Sequence, residues 1–267
     1  MKKSVFKIVV VLLLVAFAVS GFMVVNYIIE SKQQSNLHND LANMVTTQPT
    51  EAQPQETTPA DTTDSTVAAE PSETTEPTIN PQYAEVYEKN NDTVGWLKIE
   101  GTKLNNPVMQ TPNDPNFYLK RDFNKAASDW GTVYAWGSAD LNRPSDNVTL
   151  FGHTMKDGSM FSVLHNYTQK YYWEENQLIF FDTLTECHMY KIYAVFKVSA
   201  NVGSFAYHQF VDAANEEEFN DFVSTCKALS FYDTGITPVY GDKLLTLSTC
   251  EYTLDNGRLV VCAVRIT

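Results

Sequence analysis

A cysteine, a histidine and an arginine have the residue types and spacing for nucleophilic thiol chemistry. Cys250 ends the alternating segment 243–250, Arg258 opens the next apolar run, and His153 follows the apolar residues 148–151. A nearby guanidinium favours the thiolate form of a cysteine and can stabilise an oxyanion. Histidine is the usual proton-transfer partner of a cysteine nucleophile. These three residues are therefore the candidates for covalent catalysis by a thiolate.

The segment 243–250 alternates with period two, which predicts a strand with two distinct faces. One face carries Leu245, Leu247 and Thr249, and the other carries Leu244, Thr246, Ser248 and Cys250. An Asn-Gly pair at 256–257 is a turn signal before the predicted strand 258–266. If the two strands pair as a hairpin, Cys250 and Arg258 lie opposite each other at its mouth.

Cys250 has an alternative interpretation as a buried structural thiol, which is a common environment for cysteine. The other cysteines, Cys187, Cys226 and Cys262, have no basic neighbour at a plausible spacing and are predicted to be structural. No two cysteines have the CxxC spacing, so a metal site of paired thiolates has little support. The remaining histidines have no comparable position; they are His38, His165, His188 and His208.

Short runs rich in β-branched and aromatic residues, bounded by Gly, Pro, Asn or Asp, predict a mostly β fold. The predicted strands are residues 94–99, 131–136, 147–151, 178–182, 189–199, 243–250 and 258–266. A helix is predicted at 213–229 from its apolar spacing and acidic first turn, and shorter helical segments at the start of 81–94 and at 159–165. Many strands with few helices favour a closed, barrel-like architecture.

The N-terminus has lysines at positions 2, 3 and 7, followed by an uncharged apolar run at 8–29. Such a run crosses the roughly 30 Å hydrocarbon core as a helix. The lysines before it predict a cytoplasmic segment 1–7. A cleaved signal peptide is the alternative, because residues 16–18 read Ala-Phe-Ala, although the apolar run continues for eleven residues beyond them. Both interpretations place the rest of the chain outside the cytoplasm.

Residues 46–80 are rich in Thr, Pro, Glu, Gln, Ser and Ala, with seven acids and no Lys or Arg. This composition predicts a disordered linker, because it cannot bury enough apolar surface to offset the entropy of ordering. It would join a juxtamembrane segment at 30–45 to one folded domain at 81–267. The net charge of −13 argues against a nucleic-acid partner.

Four motifs in order resemble those of the sortases, the cysteine transpeptidases of Gram-positive cell surfaces. Residues 246–250, Thr-Leu-Ser-Thr-Cys, resemble the family's cysteine signature, and 151–161, FGHTMKDGSMF, resemble its histidine motif in class B members. Residues 257–261 are similar to the arginine segment, and 114–123 to a further class B stretch. The resemblance covers nearly all of residues 83–267.

The resemblance implies an eight-stranded sortase β-barrel with an N-terminal helix and a long helix between late strands. Cys250 would attack a C-terminal sorting motif of a surface protein, commonly between Thr and Gly. The thioester would then pass to a peptidoglycan precursor amine. His153 would be the general acid and base, and Arg258 would hold the substrate and the oxyanion. Implied substrate-binding residues are Ser248, Thr249, Glu251 and Leu119.

The resemblance implies neither a metal nor another cofactor. It also implies a single-pass protein of the cell membrane, with the N-terminus cytoplasmic and the catalytic domain outside. Two alternatives stay open: a hydrolytic cysteine peptidase of the same fold, in which water resolves the thioester, and a catalytically silent surface-binding domain.

Overall fold

The computed structural model describes residues 3–46, 78–143 and 145–267. Most of the predicted linker 46–80 lies outside these residues. The strands are β1 Thr93–Lys98, β2 Asn105–Met109, β3 Val133–Ala135, β4 Asn147–Phe151, β5 Leu178–Thr183, β6 Met189–Ser199, β7 Leu244–Glu251 and β8 Gly257–Arg265. The α-helices are α1 Lys3–Thr46, α2 Pro81–Lys89, α3 Lys170–Glu175 and α4 Glu216–Leu229.

The eight strands close into a barrel in the order β1-β2-β3-β4-β7-β8-β6-β5. The pairs β2–β3 and β4–β7 are parallel, and the others are antiparallel. Each of these eight strands pairs on both sides, and alternate side chains of each strand point into the barrel. The predicted eight-stranded barrel is confirmed, and the parallel β4–β7 pair brings the histidine and cysteine segments together.

Two apolar clusters stabilise the two faces of the strands β6, β7 and β8. Inward side chains such as Leu150, Leu247 and Val261 are fully buried in the barrel. On the outer face, α4 buries Phe219, Phe222, Val223 and Cys226 against these strands. The helix begins at Glu216 because Asn215 is extended and its side chain accepts a hydrogen bond from Glu218 N. The predicted start at 213 is therefore three residues too early.

The sequence patterns predict neither β2 nor α3. β2 has Pro107 and two asparagines among five residues, a poor strand pattern, and is stabilised by pairing with β1 on one side and β3 on the other. α3 is a single six-residue stretch with three aromatic residues. The helix predicted at 159–165 is a 3-10 helix, Phe161–Thr168, which starts after Met160 because that residue has a positive φ of 55°.

The N-terminal apolar run and the juxtamembrane segment form one continuous helix, α1. By length and composition, this helix could cross a membrane. Its C-terminal part packs on α2 and the barrel, where Leu41 is buried with Tyr83 and Val86. The helices α1 and α2, which precede and follow residues 47–77, therefore contact each other.

Candidate active site

The β7–β8 hairpin places Cys250 directly across from Arg258, as the alternating pattern predicted. Its turn has Asn256 at a φ of 49°, a conformation that asparagine tolerates. Glu251 and Gly257 form the last pair before the turn. The thiol and the guanidinium therefore belong to neighbouring positions at one end of the barrel.

The parallel pairing of β4 with β7 brings His153 to the same end. Phe151 pairs with Ser248, and His153 and Cys250 each follow two residues later. Beyond the strand, the Thr249 hydroxyl donates to the Gly152 carbonyl at 2.7 Å. A Cβ on Gly152 would lie 2.8 Å from the Phe161 ring, so only glycine fits between the strand and the 3-10 helix. Cys250, His153 and Arg258 line one cavity of about 250 Å³.

The His153 imidazole has a defined tautomer, because its Nε2 lies 2.7 Å from the Leu119 carbonyl oxygen. A carbonyl can only accept, so Nε2–H donates and the neutral ring keeps Nδ1 as its proton acceptor. Burial lowers the pKa of His153, although the hydrogen bond to Leu119 opposes this shift. The ring is therefore held in its neutral, proton-accepting form at neutral pH.

This lowered pKa predicts the acid limb of the pH–rate profile. Above the pKa, His153 can accept a proton, and activity falls as the pH drops through it. We expect the kcat/KM of peptide cleavage to lose half its value below pH 6.5, the ordinary histidine pKa being about 6.5. The pH profile of cleavage, together with an NMR titration of the ring assigned by its loss in His153→Gln, measures this. A ring pKa above 6.5 would contradict the role of burial.

The Arg258 guanidinium is partly held by its own turn. Its Nη1 donates to the carbonyl of Gly257 at 2.9 Å and to that of Asn256 at 3.2 Å. Among the residues that the structure describes, no carboxylate forms an ion pair with it. His208 lies on the cavity wall. Burial lowers the pKa of His208, and the positive charge of Arg258 lowers it further. The guanidinium therefore carries a charge that is free to stabilise an anion in the cavity.

Three of the four predicted substrate-binding residues line this cavity: Ser248, Thr249 and Leu119. Ser248 is buried and its Oγ lies 2.6 Å from the Tyr207 hydroxyl. Thr249 is buried, with its hydroxyl bonded to Gly152. The Leu119 side chain is 37% exposed at the cavity rim.

Glu251 does not line the cavity. Its carboxylate accepts hydrogen bonds from residues of the β7–β8 loop and from β6. Its oxygens accept from Lys197 Nζ at 2.7 Å, from the Thr253 hydroxyl at 2.7 Å, and from the backbone N–H groups of Thr253 and Leu254. Burial alone would raise the pKa of Glu251, but these hydrogen bonds outweigh it and lower the pKa to about 2. The contacts of Glu251 order the loop that joins Cys250 to Arg258.

We expect Glu251→Gln to destabilise the fold by about 1.5–3 kcal/mol at pH 7, the usual range for hydrogen bonds to a charged group. The folded pKa lies below the ordinary value of 4.5, so the stabilisation is complete above pH 4.5 and is lost as the pH falls toward 2. Denaturant unfolding of both proteins between pH 7 and pH 2 measures it. Glu88→Gln, at an exposed position on α2, is the control and should change little. A difference that persists at pH 2 would contradict the charge argument.

The cavity wall contains residues for which the sequence has no local signal. Its aromatic side is formed by Tyr134, Trp136, Phe151, Tyr207 and His208. The Trp136 and His208 rings meet edge to face with centroids 5.1 Å apart. These residues come from β3 and the position after it, from β4 and from the β6–β7 connection, so only the strand pairing brings them together.

His165 was not identified from the sequence as a site residue, but its side chain begins a hydrogen-bond chain that reaches the residues beside the cavity. Its Nε2 lies 3.0 Å from the Thr154 hydroxyl, which lies 2.9 Å from the Thr249 hydroxyl. Because Thr249 donates to the Gly152 carbonyl, the donors run in one direction, from His165 to Thr154 to Thr249 to Gly152. This chain connects the residues next to His153 and Cys250. Burial lowers the pKa of His165, which suits a neutral ring there.

The other three cysteines do not line the cavity. Cys226 of α4 and Cys262 of β8 are buried between that helix and the sheet with their Sγ atoms 4.0 Å apart, and Cys187 is exposed in the β5–β6 turn. Cys250 is thus the one thiol at the site.

Comparison with known proteins is consistent with this geometry. The family model for the sortase domain matches residues 97–266. Sortase B of Staphylococcus aureus (strain NCTC 8325) is 28% identical over 187 residues, 69% of this chain and 75% of that protein. The solved S. aureus sortase B–substrate complex aligns over 71% of this chain and 86% of that chain, with 29% identity and a TM-score of 0.65. Sortase B from B. anthracis aligns over 90% and 99% with a TM-score of 0.72, but at 23% identity this supports the fold alone.

Proposed function

The chain belongs to the sortase family as a sortase B-like cysteine transpeptidase, and we propose that it anchors surface proteins to the cell wall. In this proposal it cleaves a C-terminal sorting motif, commonly between Thr and Gly, and transfers the protein to a peptidoglycan precursor amine. The observation that carries the proposal is the meeting of Cys250, His153 and Arg258 in one cavity. The solved complex of a sortase B with its substrate supports it.

The proposed reaction has two half-reactions. In the first, His153 takes the proton of the Cys250 thiol, Sγ attacks the motif carbonyl, and the C–N bond breaks as His153 returns the proton to the leaving amine. In the second, the acceptor amine attacks the thioester, the C–S bond breaks, and the amine proton passes through His153 back to the thiolate. The free N–H groups of Arg258 stabilise the oxyanion of each tetrahedral intermediate.

The cavity chemistry suggests what part of the substrate it accepts. Its lining residues include no acid, and one wall is aromatic. A volume of about 250 Å³ suits a few residues of an extended peptide rather than a folded domain. We propose Ser248, Thr249 and Leu119 as contacts for these residues. We propose that Glu251 acts on the substrate through the loop that its carboxylate orders.

The proposed localisation is based on α1. We propose that residues 8–29 cross the cell membrane as a single anchor, with residues 1–7 cytoplasmic and the catalytic domain 81–267 outside. The support is the length and apolar composition of the helix. The exposure of its residues 6–26, which include many large apolar side chains, also fits a lipid environment.

A peptide library carrying sorting-motif variants, incubated with and without an amine acceptor, tests the function. Mass spectrometry is expected to show cleavage at the motif and, with a short glycine or diamino-acid peptide present, a ligated product. Cleavage alone at saturating amine would favour the hydrolytic peptidase. No cleavage of any motif would favour the catalytically silent binding domain.

A further inference from the structure

The exposure of α1 changes abruptly along its length. Every side chain from residue 6 to residue 26 is exposed, and Tyr27 is the first one partly covered by the barrel. The 19 of these residues that belong to the proposed anchor, 8–26, span about 28 Å at 1.5 Å per residue, close to the roughly 30 Å hydrocarbon core of a bilayer. If this part crosses the membrane, the outer boundary of the core falls where contact with the barrel begins.

Two loops of the barrel lie at this level of the helix, and we call residues 127–130 and 155–158 the docking loops. The Tyr27 and Trp130 rings lie 5.2 Å apart. Glu30 accepts a hydrogen bond from Asp129 N at 3.3 Å, and the Ser31 hydroxyl donates to Asp157 at 2.7 Å. Both loops therefore contact α1 at residues 27–31, directly after the exposed apolar residues that end at 26.

The contact continues along one face of α1, which makes the helix a rigid support. Tyr27, Ser31, Gln34 and Leu41 follow helical spacing, and Gln34 and Leu41 are only 7% and 1% exposed. Tyr27 and Leu41 are fourteen positions apart, so this face extends over about 21 Å of helix. The barrel is held along this length instead of at a single point.

We propose that α1 seats the catalytic barrel directly on the outer face of the membrane, with the docking loops against the lipid headgroups. This inference rests on the proposed membrane anchor. Exposed Lys156 lies in one of these loops and forms no salt bridge within the described part of the chain, so its charge suits the anionic headgroups of a bilayer surface. Trp130 itself is buried, and its contacts with the Tyr27 ring and, through Nε1, with Asp157 hold both docking loops to the helix at this level.

The docking loops also connect to the catalytic cavity. Asp129 forms a salt bridge with Lys120 at 2.9 Å. Leu119, which precedes Lys120 in the chain, lines the cavity, and its carbonyl accepts the hydrogen bond from His153. Lys156 follows His153 by three residues in the same loop. The seated barrel therefore keeps the His153 side of the cavity close to the bilayer. A peptide motif tethered to the membrane by an apolar segment would reach it without a long spacer.

Nitroxide labels on the full chain in vesicles that contain a nickel-chelating lipid test this seating. Labels at Ala127→Cys and Lys156→Cys, in a Cys187→Ala, Cys250→Ala background, report on the docking loops. Val239→Cys is the matched control, because it is exposed in the loop before β7, at the far end of the strand from Cys250. We expect several-fold stronger relaxation by nickel at 127 and 156 than at 239.

A six-residue Gly/Ser insertion after Glu30 should reduce relaxation at 127 and 156 to the value at 239. Equally weak relaxation at all three positions without the insertion would overturn the proposal, and so would failure of the chain to insert into vesicles. Cleavage of a soluble sorting peptide by the Cys250-containing chain, with and without the insertion, should be equal. Because that reaction does not depend on the membrane, its failure alone would count against the proposed function and leave the seating intact.

Discussion

Cys250→Ala is expected to abolish both cleavage and transfer, lowering kcat/KM for a sorting peptide by at least roughly a thousandfold. Without the thiol no thioester forms, and no other cysteine lines the cavity to replace it. The alanine variant should still bind peptide, because the aromatic wall and Arg258 are unchanged. Steady-state kinetics on a fluorogenic peptide, with binding measured by calorimetry, separates the two effects.

Cys187→Ala provides a matched control, since it makes the same substitution at an exposed cysteine outside the cavity. It should keep the parent activity within about twofold, as expected for a surface change away from the site. A thiol-reactive methanethiosulfonate should inactivate the parent by modifying Cys250, and should inactivate the Cys187→Ala variant equally. Cleavage by Cys250→Ala at the parent rate would show that the nucleophile has been assigned wrongly.

The hairpin that carries Cys250 and Arg258 could be predicted from the sequence because every signal in it is local. The period-two pattern defines the strand, and the Asn-Gly pair defines where the chain turns. If the two strands pair as a hairpin, these signals bring Cys250 and Arg258 to its mouth, and the structure shows that pairing across a loop of residues 252–256. Local periodicity thus located two of the three site residues, although it could not exclude a structural thiol.

The position of His153 beside Cys250 could not be predicted in this way. It depends on the parallel β4–β7 pair, whose contacts join Gly152 and Thr249 across 97 positions. Periodicity says nothing about which strands pair over such a distance, so only the resemblance to sortases placed the two residues together. The same reason explains why the aromatic wall and the His165 chain were missed. The role of Glu251 inside its loop also became visible only with its partners from β6.

At the N-terminus the sequence predicts the apolar run but not the packing of the residues after it. Its composition defines 30–45 only as juxtamembrane, yet the spacing of Gln34 and Leu41 marks a face that packs on the barrel. The large apolar residues of this segment, Leu37, Leu41, Met44 and Val45, alternate with polar ones, so the sequence alone does not say what they pack against. Their partners include Tyr83 and Val86, which lie about forty positions further along the chain.

Arg258→Ala is expected to lower kcat roughly 10²–10³-fold, the usual loss when a group that stabilises an oxyanion is removed. Arg258→Lys should recover only part of this loss. The present guanidinium uses Nη1 to bind the carbonyls of Asn256 and Gly257 and keeps its other N–H groups for the cavity. A lysine ammonium is a single point of charge and cannot hold the turn and face the oxyanion in the same planar geometry. Steady-state kinetics of all three proteins measures the effect.

Arg265→Lys is the matched control, because it makes the same change at the opposite end of β8. It should leave kcat unchanged. The division between kcat and KM then identifies what Arg258 does. A fall in kcat at constant KM means that the charge acts mainly on the oxyanion, whereas a rise in KM means that it mainly holds the peptide. An alanine variant with both constants unchanged would remove Arg258 from the site. The positive charge opposite Cys250 would then have to be explained by the stability of the β7–β8 turn alone.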